Sequence, residues 1–245
     1  MDLGLNGKTA VIMGASSGLG KGIAQSLISE GANVAISSRD EGRLKAAAKD
    51  ISASRIYPCD FSKPGQSREM VEKAISELGH LDILVTNTGG PARGSFMEIT
   101  SEQWHHDFQS VWMSAIEAMQ VALPHMQKRG YGRILLITSV SAKESLPRLT
   151  SSNGLRPGLK GLAKSISNEY ASSGVTVNVL MPGYTNTDRL RELGLSDEKI
   201  KQMIPAGRLA EPQELGALAA FLASPQAGYI TGQSIAVDGG FMKSH

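Results

Sequence analysis

The residues best suited to chemistry stand near the start of the chain. Met13-Gly14-Ala15-Ser16-Ser17-Gly18-Leu19-Gly20 follows a short apolar run, Thr9 to Met13, and opens a stretch of helical spacing, Gly18 to Glu30. Glycines in such a turn let backbone N–H groups approach a pyrophosphate, and the helix N-terminus adds the positive end of its dipole. A glycine cluster alone is also what a tight turn needs. Its place between a strand and a helix is what points to a dinucleotide, with Gly14, Ser16, Ser17, Gly18, Leu19 and Gly20 as the cradle. The next apolar run, Asn33 to Ser37, leads into Ser38 and Arg39. Sites for NAD usually set a carboxylate there, on the ribose 2′-OH. A carboxylate would repel a 2′-phosphate, whereas Ser38 can hydrogen-bond it and Arg39 can pair with it. These two residues favour NADP (NADPH), against the plainer reading of Arg39 as a solvated strand end. Asp40 is expected to cap the following helix.

The elements that must position this turn alternate regularly. Further short apolar runs lie at Arg55 to Cys59, Leu81 to Thr86, Gly132 to Ser139, Val175 to Met181 and Ser234 to Val237. Between them, helical spacing covers Glu41 to Ser52, Ser67 to Leu78, Thr100 to Gln127, Leu159 to Ser172 and Pro212 to Ser224. Thr100 with Gln103 three residues on resembles a capping box. Strands without strict polar alternation are covered on both faces. The pattern therefore predicts an α/β fold: a single-domain, doubly wound parallel sheet of about seven strands, spanning 1–245. Two segments are expected to line a substrate pocket, the loop at Ser141 to Asn153 and the irregular stretch at Tyr184 to Arg208, which contains a short helix near Asp197 to Met203.

Composition excludes several classes. The 245 residues carry 25 Lys plus Arg against 23 Asp plus Glu, a balance unlike that of a strongly basic nucleic-acid binder. Apolar residues at 41% and charged residues at 20% supply a core and rule out global disorder. The longest apolar run, around Leu215 to Ala223, is far short of the ~18 residues of a membrane span. The N-terminus lacks the pattern of a secretory signal. Cys59 is the single cysteine, so no internal disulfide or thiolate cluster forms, and a cytoplasmic location is expected. No metal site is expected, since His105 and His106 point about 100° apart on a helix.

With these motifs in place, the chain resembles the short-chain dehydrogenase/reductase family nearly end to end, with a general likeness to β-ketoacyl-acyl-carrier-protein reductases. Gly14-xxx-Gly18-x-Gly20 is similar to that family's glycine turn. Asp60, beside Phe61, resembles its adenine contact, and Asn87-Thr88-Gly89 its Asn-Ala-Gly motif. Pro182-Gly183 followed by Thr187 looks like the segment that touches the nicotinamide carboxamide. Ile230-Thr231-Gly232-Gln233 and Val237-Asp238-Gly239-Gly240 resemble its C-terminal signature. The likeness implies an NADP-dependent oxidoreductase acting on a small-molecule carbonyl or secondary alcohol, as a homotetramer, with neither nucleic acid nor membrane as partner.

The resemblance also implies a catalytic Asn, Ser, Tyr and Lys, and here the sequence departs from it. Ser139 stands at the Ser position, but Ser152 and Arg156 occupy the Tyr-xxx-Lys positions and Val111 the Asn position. In family members the tyrosine gives a proton to the carbonyl and the lysine lowers its pKa and holds the nicotinamide ribose. Ser152 is a much weaker and shorter acid. Losing a positioned acid typically costs ~10²–10⁴-fold in rate. Arg156 can contact ribose hydroxyls but cannot relay protons, and Val111 has no donor or acceptor. Pro157 suits a first helical position, and with a helix starting there Ser152 and Arg156 need not share a helical face. Tyr184, Lys143, Arg148 and Lys160 are read as packing or surface residues. Two functions remain open: an oxidoreductase with an altered site, or an NADP(H)-binding protein with little turnover that acts as a sensor or interaction partner.

Overall fold

The computed structural model describes residues 2–191 and 196–244. Seven strands form one parallel sheet in the order β3-β2-β1-β4-β5-β6-β7. They are β1 (Thr9–Met13), β2 (Asn33–Ser38), β3 (Arg55–Pro58), β4 (Ile83–Thr86), β5 (Gly132–Ile137), β6 (Val175–Pro182) and β7 (Ser234–Val237). The expected architecture is thus observed, with five of the fourteen strand ends shifted by one or two residues. Alternate side chains of β1 enter opposite cores. Val11 and Met13 pack with Met70, Val71, Ala118 and Ala163 of the helices on one face. Ala10 and Ile12 pack with Ile23, Leu27, Leu44 and Leu215 on the other. This double burial is why the strands read as unbroken apolar runs.

On the second face lie α1 (Gly18–Ser29), α2 (Glu41–Ile51) and, from later in the chain, the Pro212–Ala223 helix. The first face carries α3 (Gln66–Leu78) and two helices that depart from expectation. Asp40 caps α2 as expected, its carboxylate accepting from the Arg43 N–H at 2.9 Å. The stretch expected as one helix from Thr100 to Gln127 is divided into α4 (Ser101–Asp107), a π-helical turn (Phe108–Met113) and α5 (Ser114–Arg129). The capping box of Thr100 and Gln103 starts it as expected. Val111 lies within the π turn.

The larger correction concerns α6, which runs from Thr150 to Tyr170 with Pro157 inside it. A helix beginning at Pro157, with Leu159 to Ser172 as its body, is not what forms. Local preference at Gly154 and Pro157 is overridden by bonds from outside the helix. The Ser151 hydroxyl donates to Asp107 at 2.6 Å, and Trp112 Nε1 donates to the Leu155 carbonyl at 2.6 Å. Asn153 bonds both the N–H and the carbonyl of Leu146, at 3.0 and 2.9 Å. Residues 150–153 of the expected substrate loop are therefore helix, and Val140–Ala142 is a 3-10 turn. In the second expected loop, α7 (Asp188–Arg191) and α8 (Asp197–Met203) form, followed by α9 (Pro212–Ala223). Residues 192–195 of that segment lie outside the described residues. No helix among the described residues is long and apolar enough to cross a membrane.

Candidate active site

Strand order reverses between β1 and β4, the switch point where parallel sheets of this kind open a crevice beyond their C-terminal strand ends. A cavity of about 320 Å³ lies there. The glycine turn after β1 gives it Gly14, Ser17, Gly18 and Leu19, and the end of β4 gives Asn87 and Gly89. Ser139 enters from beyond β5, Ser152 and Arg156 from α6, and Pro182, Gly183 and Thr187 from beyond β6.

The turn is held tightly. Gly14 has φ +62°, and a Cβ there would stand 1.9 Å from the Asn87 carbonyl oxygen, so no other residue fits. The Asn87 side-chain amide donates to the Gly14 carbonyl at 2.9 Å, tying the β4 end to the turn. Ser17, the N-cap of α1, makes no side-chain cap bond, which leaves first-turn N–H groups for an anion. Ser16 and Gly20 belong to the same turn without forming the cavity wall.

The remaining expected cofactor residues lie further along the sheet edge. Ser38 ends β2, its hydroxyl donating to the Asp40 carbonyl at 3.5 Å. Arg39 is exposed and makes no hydrogen bond or ion pair among the described residues. Asp60 accepts from the Ser62 N–H at 3.1 Å and hydroxyl at 2.7 Å. Burial alone would push its carboxyl up, but the Ser62 bonds and the charges of Arg39 and Lys63 hold it below the usual carboxylate range. The Phe61 ring is buried in the core. An uncapped helix start, a cradle only glycine allows and an unpartnered Arg39 all fit a phosphorylated dinucleotide.

At the opposite end the polar groups converge differently from expectation. Ser152 and Arg156 are one helical turn apart on α6 and both reach the cavity. The Ser152 and Ser141 hydroxyls share a buried hydrogen bond at 2.8 Å. Ser139 Oγ accepts from the Ser141 N–H at 3.1 Å, leaving its own O–H to donate. Arg156 is buried and donates to the carbonyls of Ile137 at 3.2 Å and Gly89 at 3.0 Å. Burial, then the nearby Arg189 charge, lowers its pKa to about 10, so it remains cationic at neutral pH. Val111 is buried and does not line the cavity.

Of the four residues that could supply another acid, Tyr184, Arg148 and Lys160 are engaged elsewhere and Lys143 lies at the surface. Tyr184 packs edge-on against Phe241 at 5.1 Å between ring centres. Arg148 pairs with Glu98 at 3.3 Å, Lys160 Nζ donates to the Ala142 carbonyl at 3.5 Å, and Lys143 is exposed. No cluster that could hold a metal occurs among the described residues. Sequence reasoning missed Asp107, a buried carboxylate that also accepts from the Ala92 N–H at 2.9 Å. It missed Arg93 and Arg189 in the cavity lining as well. The only signal for Arg189 was its place two residues after Thr187.

A doubly wound sheet with a phosphate-binding turn at its switch point defines the class: a Rossmann-type oxidoreductase. Residues 14–242 match the family described as Enoyl-(Acyl carrier protein) reductase, and the chain belongs to the short-chain dehydrogenase/reductase family. It is 34% identical over 242 residues to the 3-oxoacyl-[acyl-carrier-protein] reductase FabG of Escherichia coli (strain K12), covering 97% of this chain and 98% of that protein. L-sorbose reductase from Gluconobacter frateurii, solved with NADPH and L-sorbose, superposes with a TM-score of 0.94 at 30% identity over 100% of both chains. YwfH, an NADPH-dependent reductase involved in bacilysin biosynthesis, superposes with a TM-score of 0.93 at 33% identity, over 98% of this chain and 100% of that one.

Proposed function

We propose that this protein is an NADP(H)-dependent oxidoreductase that reduces a carbonyl, or oxidises the matching secondary alcohol, through an altered catalytic constellation. The observation that carries the reading is the meeting, in one cavity, of the glycine turn, the free Ser139 hydroxyl and the buried Arg156. NADPH supplies the hydride when bound. The α1 N-terminus and the glycine turn hold its pyrophosphate, Arg39 and Ser38 its 2′-phosphate, and Asp60 its adenine end. Relatives named as NADPH-dependent or NADPH-bound support the cofactor choice. Asn87, Gly89, Pro182, Gly183 and Thr187 frame the nicotinamide end.

At the reacting carbon, Ser139 donates its O–H to the carbonyl oxygen. Arg156 adds a fixed positive charge that favours the oxyanion as hydride arrives. It keeps its own proton at neutral pH, so a water molecule completes the alcohol. Val111, buried and outside the cavity wall, takes no part in this step. The 3-oxoacyl reductase among its relatives makes 3-oxoacyl thioesters the first substrates to try, with simple ketones beside them. Measuring substrate-dependent NADPH oxidation across that panel tests the reading. NADPH binding with no turnover on any carbonyl would reject it.

One observation favours a second reading, an NADP(H)-binding protein with little turnover. No tyrosine lines the cavity among the described residues, and the Ser152 hydroxyl is already bonded to Ser141. That reading predicts tight NADPH binding and a silent carbonyl panel.

A further inference from the structure

We infer that the substrate is an oxo acid whose free carboxylate binds against Arg156, in the part of the cavity away from the glycine turn. The inference rests on the reductase reading above and names its substrate class. Arg156 is more than nine-tenths buried, at 8% exposure, and forms no ion pair among the described residues. Two of its five N–H groups are spent on the carbonyls of Ile137 and Gly89, and Nε has no hydrogen-bond partner among the described residues. A buried cation without a counter-charge is costly, and an anion that enters with the ligand removes that cost. Asp188 is the one acidic side chain among the described lining residues, and it already pairs with Arg191 at 3.0 Å and Arg43 at 3.7 Å. Arg93, exposed on the cavity wall, makes no hydrogen bond or ion pair among the described residues and offers a second cation on the approach. Arg189, whose Nη2 donates to the Pro91 carbonyl at 3.2 Å, adds its field at Arg156.

The cofactor has anionic groups of its own, but their sites are elsewhere. The pyrophosphate belongs to the start of α1, and a 2′-phosphate belongs to Arg39 at the end of β2. Arg156 sits beyond β4 and β5, bonded to the last residue of β5 and to Gly89. A planar guanidinium fixed by two backbone acceptors presents its remaining N–H groups in a set geometry, which suits a carboxylate better than a mobile ammonium would. The free acid, not a thioester or a neutral ketone, is therefore the better substrate.

Two measurements test this. In the first, NADPH oxidation is followed with 3-oxobutanoate and 2-oxopentanoate, each against its methyl ester. The acids should exceed the esters at least tenfold in kcat/KM. Arg156→Met should bring that ratio below threefold, and Arg93→Met should lower it by a smaller factor. In the second, malonate and its dimethyl ester are titrated calorimetrically into the protein saturated with NADP⁺. Malonate should bind, the diester should not, and Arg156→Met should weaken malonate at least tenfold while NADP⁺ affinity changes less than threefold. Should Arg156→Met fail to fold, Arg93→Met and the acid-to-ester ratio of the unaltered protein decide alone. Esters equal to acids, or malonate that binds no better than its diester, would overturn the inference and leave the reductase reading intact. Arg156→Met weakening NADP⁺ as much as malonate would also overturn it, assigning the anion to the cofactor. A silent carbonyl panel with Arg156-dependent malonate binding would keep the carboxylate site and remove the reductase reading.

Discussion

Placing a phenol and an ammonium at the two α6 positions, Ser152→Tyr with Arg156→Lys, reads the site most directly. Both positions reach the cavity from a continuous helix, one turn apart, so the new side chains share a face. Pro157→Ala, which a helix starting at Pro157 would have required, is unnecessary. The structural cost can be worked out. Tyrosine gives up the Ser152–Ser141 hydrogen bond and sends its ring into a cavity of about 320 Å³. Lysine gives up one or both of the bonds to Ile137 and Gly89. At ~0.5–1.5 kcal/mol per hydrogen bond, the two or three bonds given up cost about 1–4.5 kcal/mol. A domain stable by ~5–15 kcal/mol survives that loss. The gain is a positioned acid worth ~10²–10⁴-fold, or about 3–5 kcal/mol of barrier. The assay is kcat for NADPH oxidation with a 3-oxobutanoyl thioester at saturating NADPH. The double variant should rise at least a hundredfold, and each single variant should stay within about threefold of the parent, because the two groups act as a unit. A folded double variant that binds NADPH normally yet turns over no faster would refute the reasoning. So would a parent rate equal to that of a relative with Tyr and Lys in place, and Tyr184→Phe would then be the next variant.

NADP(H) should bind more tightly than NAD(H), and Arg39→Asp should reverse the order in a fluorescence titration; equal affinities in the parent would remove the assignment. Glu214, bonded by Arg208 at 2.7 and 2.8 Å and by the Glu211 N–H at 2.8 Å, has its pKa drawn from 4.5 to about 2, first by Arg208 and then by Glu211. A lowered carboxylate pKa contributes stability above about 4.5 that fades as pH falls toward 2. Because the pair is solvent-exposed, Glu214→Gln should cost only ~0.5–1 kcal/mol in urea unfolding at pH 7, a cost that shrinks below pH 4.5 and is lost as pH falls through about 2. Light scattering should give a homotetramer of the 26.0 kDa chain; a monomer at micromolar concentration would reject that expectation.

What the sequence made legible was whatever local chemistry decides. Thr9 to Met13 and Ser234 to Val237 read as strands because double burial leaves unbroken apolar runs. The caps at Asp40 and Thr100 read correctly because a cap is a short-range device. The start of α6 was illegible because Gly154 and Pro157 argue against helix, while the bonds that favour it come from Asp107 and Trp112, more than forty residues away in sequence. Asp107 itself, on a helix rich in polar residues, looks like any solvated carboxylate until its Ser151 and Ala92 partners are seen. Arg93, in a loop, and Arg189, on the short α7, carry no periodic signal, so their convergence in space is what marks them.

That convergence bears on the three positions at which the proposed site departs from the family resemblance. Trp112, next to Val111 in the π turn, donates to the Leu155 carbonyl, and a Cβ on Gly158 would stand 2.5 Å from its ring. The indole thus fits only beside a glycine, and its bond steadies the helix ahead of Pro157. The steadied turn in turn brings Ser152 to Ser141 and seats Arg156 on its two carbonyls. If the three departures, Val111, Ser152 and Arg156, were unrelated to one another, unpaired polar groups would be expected along this helix. Instead Arg156 Nε is the sole buried side-chain polar atom on α6 without a partner among the described residues. It belongs to the one α6 side chain with a charge in the cavity wall. On α6, then, the buried polar side-chain atoms of the described residues are satisfied except at the cation that lines the cavity, which is the arrangement a site awaiting an anionic ligand requires.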